Sequence, residues 1–173
     1  MKERHGAVTF KGSPLTLVGN ELHVGDKAPE FTVAANDLAP FALSKAAPKW
    51  RIISSVPSLD TPVCDIETRR FNAEAGKLAG KVEVLTVSMD LPFAQKRWCG
   101  AADAKNVVTL SDYRDASFGN AFGLLIKELH LLARSVMIVD EHNIVRYVQL
   151  VKETTHEPDY DDVIANLHKL MGR

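Results

Sequence analysis

A chain of 173 residues, 46% hydrophobic and 25% charged, is long enough to bury a core without disulfide or metal staples, and its balance is neither that of a disordered chain nor that of a membrane protein. A formal net charge of -1, with lysines and arginines scattered along the sequence, offers no basic stripe for a phosphate backbone and argues against nucleic acid as a partner. The opening Met1-Lys2-Glu3-Arg4-His5-Gly6 runs into mixed sequence without an apolar leader, and no segment approaches the roughly 18 apolar residues of a membrane span, so a reducing cytoplasm is the expected compartment.

Val8-Thr9-Phe10 and Leu15-Thr16-Leu17-Val18 flank Lys11-Gly12-Ser13-Pro14, which reads as a hairpin over residues 7–18, an N-terminal appendage to the core. Phe31–Ala35 is a short strand and Trp50–Val56 a stronger one, ending at Pro57. Thr61 then reads as a helix N-cap whose hydroxyl accepts a free backbone N–H, with Pro62 at the first helical position, where no hydrogen bond is lost. This helix is expected to turn Ile66, Phe71, Ala75 and Leu78 inward and to end at Gly80. Val82–Ser88, rich in β-branched residues, predicts a central strand. Asp90-Leu91-Pro92 opens a short helix through Trp98-Cys99, Val107–Leu110 is the next strand, and Ala116–Phe122 is helical. Ser135–Val139 and Ile144–Leu150 form an antiparallel hairpin around Asp140-Glu141-His142-Asn143. Tyr160, Val163, Ile164, Leu167 and Met171 mark a closing amphipathic helix. Alternating strands and helices predict one α/β domain over 1–173, with a mixed sheet covered on both faces.

Cys64 falls in the first turn of the helix that Thr61 opens. There the free N–H groups and the helix dipole favour a thiolate, which is the nucleophilic form. The competing reading is a small buried hydrophobe. Asp60, Asp65 and Glu67 oppose a thiolate if they point at the sulfur, so a cation is required from elsewhere. Arg134, just before the strand at Ser135, is one candidate, and Arg69 and Arg70 on the helix itself are others. Cys99 reads either as a core residue beside Trp98 or as a second thiol able to trap a sulfenic acid on the first. The two cysteines stand 35 positions apart, and none of the six histidines has a second His or a Cys three to five positions away, so neither a C-x-x-C pair nor a local zinc site is present.

The run Pro57-x-x-x-Thr61-x-x-Cys64 resembles the peroxidatic signature of peroxiredoxins. Asp90-Leu91-Pro92-Phe93-Ala94-Gln95 leading to Cys99-Gly100 resembles the bacterial thiol peroxidase subfamily, an atypical two-cysteine type. The N-terminal hairpin, Leu132-Ala133-Arg134 and Thr155-His156-Glu157-Pro158-Asp159-Tyr160 continue the likeness over nearly the whole chain. It implies a thioredoxin-like fold with an N-terminal β-hairpin, usually as a homodimer. It implies Cys64 as peroxidatic nucleophile, Thr61 as the hydroxyl orienting peroxide and thiolate, and Arg134 as the cation stabilising both. Pro57 would shape the loop and shield the sulfur, and Cys99 would be the resolving cysteine. The chain departs from the pattern at Pro62, where close relatives often carry Gly.

The expected activity is reduction of hydrogen peroxide and organic hydroperoxides through a Cys64 sulfenic acid and a Cys64–Cys99 disulfide. The likeness points to thioredoxin as reductant, and the chemistry needs no metal or organic cofactor. Two alternatives use the same residues: a redox sensor signalling through that disulfide, and a thioredoxin-like disulfide oxidoreductase, whose usual C-x-x-C is missing.

Overall fold

The computed structural model describes residues 1–78 and 80–172. Eleven strands are described: β1 (Glu3–Phe10), β2 (Ser13–Val18), β3 (Thr32–Ala34), β4 (Pro40–Ala42), β5 (Trp50–Ser55), β6 (Val82–Ser88), β7 (Val107–Ser111), β8 (Leu125–Ile126), β9 (Leu131–Leu132), β10 (Ser135–Val139) and β11 (Val145–Leu150). The helices are α1 (Pro62–Lys77), α2 (Pro92–Ala102), α3 (Ser117–Phe122) and α4 (Tyr160–Leu170). A seven-stranded sheet runs β11-β10-β5-β6-β7-β3-β4, and a smaller sheet runs β1-β2-β8-β9. Within the large sheet β5, β6 and β7 are parallel, and the outer pairings are antiparallel.

Side chains alternate across the large sheet with the strand period of two. Ile52, Val84, Val136 and Ile138 face Phe71, Ala75, Val163 and Leu167, the inner residues of α1 and α4. Their chain neighbours Ile53, Leu85, Val87, Met137 and Val139 face the opposite way, into a core with Phe118 and Phe122 of α3 and Leu15, Leu17, Ile126 and Leu132 of the small sheet. Both faces of the central strands are therefore dry, which is why these strands read as continuous apolar runs. This is the mixed, doubly covered sheet expected from the sequence.

Three expectations need correction. Ile66 is 51% exposed rather than buried, because it precedes Phe71 by five positions, which places it about 140° around the helix from that residue. Helix α2 continues through Cys99 to Ala102, so the cysteine is not at its end. The hairpin β1–β2 is no appendage. Strand β2 pairs with β8, and the end of β1 is stitched to the C-terminal loop by Thr9 N to Lys152 O (2.7 Å) and Thr154 N to Thr9 O (2.8 Å).

The parallel register β5–β6–β7 aligns the ends of these strands at one edge. The loop from Val56 to Thr61 leaves β5 there, and the turn at Asp90 leaves β6 beside it. The two segments that carry the cysteines thus start from neighbouring strands.

Candidate active site

Cys64 is fully buried in the first turn of α1, against Val56, Leu59 and Trp98. Its sulfur accepts a hydrogen bond from Arg134 Nη2 at 3.2 Å. Arg134 enters from just before β10, where Ser55 Oγ donates to the Ala133 carbonyl at 2.7 Å and fixes the approach. The guanidinium is only 2% exposed. It donates from Nε (3.2 Å) and Nη2 (3.0 Å) to the Thr154 carbonyl, and from Nη1 to Glu67 Oε2 at 2.5 Å. Four of its five N–H groups are therefore directed. A charged N–H aimed at a sulfur makes a bond that a thiolate accepts far better than a thiol.

Glu67 is the residue that sequence reasoning did not place here. It lies three positions after Cys64, on the same helix face, with no measurable exposure. Its second oxygen accepts from Ser54 Oγ at 2.9 Å. Burial pushes its carboxyl up to about 7, against the downward pull of Arg134 and Ser54. Burial also works against the Arg134 charge, but the facing Glu67 and Cys64 outweigh it and raise Arg134 above its ordinary value. The three groups form one buried unit, with the guanidinium bonded to both carboxyl and sulfur.

The other sequence candidates divide. Arg69 and Arg70 are spent elsewhere, Arg69 on Asp65 (2.9 Å) and Arg70 on Glu74 (3.5 Å) and Asp161 (3.3 Å). Asp65 and Glu67 face Arg69 with Trp98 and Arg134 with Ser54 respectively, so neither carboxylate opposes the sulfur uncompensated. Pro57 is buried where the loop leaves β5.

Thr61 is the N-cap in backbone terms, with extended φ and ψ of -126° and 149°, and its carbonyl accepts the first helical bond from Asp65 N. Its hydroxyl does not cap, contrary to expectation. It donates to the Ser58 carbonyl at 2.8 Å, closing the 58–61 turn before the helix begins. The Thr61 oxygen thereby keeps its lone pairs for another donor.

Cys99 is half-buried and stands apart from this unit. Its sulfur lies 3.3 Å from Thr109 Oγ1 on β7, and Asn36 Nδ2 approaches it at 4.0 Å. Both cysteines are free thiols.

Residues 23–164 match the family model described as Redoxin. The chain is 58% identical to a thiol peroxidase of Halalkalibacterium halodurans, covering 91% of this chain and 95% of that protein. It is 57% identical to a thiol peroxidase of Bacillus subtilis, over 91% of this chain and 93% of the relative. Among solved structures, a peroxiredoxin-like protein from Aquifex aeolicus superposes with a TM-score of 0.88 at 46% identity, covering 95% and 97% of the two chains. A thiol peroxidase from Chromobacterium violaceum superposes with a TM-score of 0.84 at 20% identity, covering 95% and 96%, a likeness of fold. The architecture is thioredoxin-like, with the N-terminal hairpin built into it.

Proposed function

The chain belongs to the redoxin family, among the thiol peroxidases of the peroxiredoxin type, and from that premise we propose that it reduces hydrogen peroxide and organic hydroperoxides through Cys64, with Cys99 as the resolving thiol. The observation that carries this reading is the Arg134 contact to a buried Cys64 sulfur. A thiolate held there attacks the terminal peroxide oxygen. The O–O bond breaks, the hydroxyl transfers to sulfur as a sulfenic acid, and the remaining oxygen leaves with the electron pair and takes a proton to become water or an alcohol. Arg134 and the free N–H groups at the start of α1 face the region where that charge develops. Thr61, its own proton committed to Ser58, is suited to accept the peroxide hydrogen. Pro57 keeps the loop folded over the sulfur.

The Cys99 thiol then attacks the sulfenic sulfur, a disulfide forms and water leaves. A thioredoxin-type dithiol returns both cysteines to thiols. The reaction uses no metal and no organic cofactor. We place the protein in the cytoplasm as a homodimer, as its resemblance to the bacterial thiol peroxidases implies. No described helix is long and apolar enough to cross a membrane.

Intact mass after one equivalent of peroxide tests the mechanism. The parent should lose two hydrogens through an internal bond, and Cys99→Ser should hold a sulfenic acid on Cys64. Two free thiols surviving in the parent would contradict the scheme. With thioredoxin, its reductase and NADPH, peroxide should drive sustained NADPH consumption rather than one stoichiometric burst. Arg134→Lys should slow the peroxide step at least about tenfold, because a point charge cannot reach Cys64, Glu67 and Thr154 together. Parental rates in that variant would remove Arg134 from the site.

A further inference from the structure

The two cysteine-bearing segments are joined by a bond that the reaction above does not use. Trp98 Nε1 donates to Asp65 Oδ1 at 2.8 Å. Asp65 directly follows Cys64, and Trp98 directly precedes Cys99. The second oxygen of Asp65 accepts from Arg69 Nε at 2.9 Å, and the Arg69 guanidinium lies 5.7 Å from the Trp98 ring centre. The carboxylate is thus oriented from one side and occupied on the other. The Trp98 ring also packs over Val56, Leu59 and Cys64. A second tie runs between the same segments, since Asp90, two residues before α2, accepts from Ser58 Oγ (2.7 Å) and Leu59 N (2.8 Å).

A disulfide needs its two Cα atoms within about 7 Å and its Cβ atoms turned toward each other. Here Cys64 faces Arg134 and Cys99 faces Thr109, each in an intact helix. Pairing therefore requires the first turn of α1, the Cys99 stretch of α2, or both to leave their places. The bond between Asp65 and Trp98 must break when they do.

We propose that Asp65 and Trp98 form a clasp that times this departure, as positioning residues for the resolution step. Closed, it holds Cys64 at Arg134 while peroxide reacts. Its opening releases the sulfenic acid toward Cys99. The proposal rests on the Cys64–Cys99 disulfide put forward above. Two fates compete for the sulfenic acid. Attack by the Cys99 thiol forms the S–S bond and releases water. Attack on a second hydroperoxide transfers another oxygen to sulfur, giving a sulfinic acid and releasing water or an alcohol. A tighter clasp lengthens the exposure to the second fate.

The test compares the full-length parent with Trp98→Phe, which keeps a ring over Cys64 and removes the N–H, with Asp65→Ala, and with the double variant. Disulfide formation is followed by quenched-flow mass analysis, and sulfinic acid by the gain of two oxygens across a peroxide titration. Each single variant should form the disulfide about fivefold faster, and the peroxide dose giving half sulfinic acid should rise by a similar factor. The double variant should match the singles, because all three lose the same bond. Additive effects, or parental rates and doses in both single variants, would overturn the clasp. Should the parent form no disulfide at one equivalent of peroxide, the reading beneath the clasp fails with it. That result is distinct from four proteins that all form the bond at one rate.

Discussion

Glu67 holds a carboxyl group where water does not reach, and its environment makes it a titrating group near neutrality. Its folded value of about 7 lies above the ordinary 4.5, so between those values the folded chain binds more protons than the unfolded one. Stability contributed by the neutral form is complete below about 4.5 and lost as pH rises through about 7. Relative to Glu67→Gln, the parent should therefore lose on the order of 2 kcal/mol between pH 5 and pH 8 in urea titrations. An unchanged gap between the two proteins across that range would refute the upward shift. The sequence held a signal for this residue. Cys64, Glu67, Thr68, Phe71 and Ala75 form the buried stripe of α1, and a carboxylate set in such a stripe requires a partner. What the sequence could not supply was the direction of its bond, because Arg134 arrives 67 positions later. The Thr61 hydroxyl was hidden for a similar reason. Capping and turn closure use the same side chain, and only the path of residues 58–61 decides between them.

At the scale of elements, helix α1 separates buried from exposed positions sharply. Phe71 is fully buried and meets Tyr160 of α4 edge-on with ring centres 5.5 Å apart. Phe71→Ala should cost about 3–5 kcal/mol in denaturant unfolding, whereas Ile66→Ser should stay within about 0.5 kcal/mol. Comparable losses in both would mean that the helix is rotated. The long strands were legible because β-branched runs bounded by Gly, Pro and Asp have few other readings. Strands β8 and β9 were not, since two residues carry no period. Their pairing is dictated by contact with Leu17 and Val18 of β2, which are distant in sequence. The cysteine contexts were readable because each lies on a helix opened by a proline, Pro62 two positions before Cys64 and Pro92 seven before Cys99, a local feature. Their separate partners, Arg134 and Thr109, belong to the assembled sheet.

Across the whole molecule, the N-terminal hairpin reaches the site through Glu153. This carboxylate accepts from Thr9 Oγ1 (2.6 Å), Lys11 N (2.8 Å), Gly12 N (3.0 Å) and Thr155 Oγ1 (2.8 Å), bonds that hold it well below the usual carboxylate range. The next residue is Thr154, whose carbonyl seats Arg134. Glu153→Ala should raise amide exchange at Lys11 and Gly12 and slow the peroxide step less than Arg134→Lys does. Parental exchange at both amides would show that the Glu153 bonds do not hold the hairpin in place. The chain separation between Cys64 and its cation has a consequence for biosynthesis. The guanidinium lies 70 residues downstream of the sulfur. At about 5–20 residues per second, a ribosome needs roughly 4–14 s to make that stretch. Throughout that interval the nascent chain presents an ordinary cysteine without its arginine. On the proposed mechanism, peroxide reactivity is switched on by completion of the sheet, and a chain truncated before Arg134 carries the thiol without the chemistry.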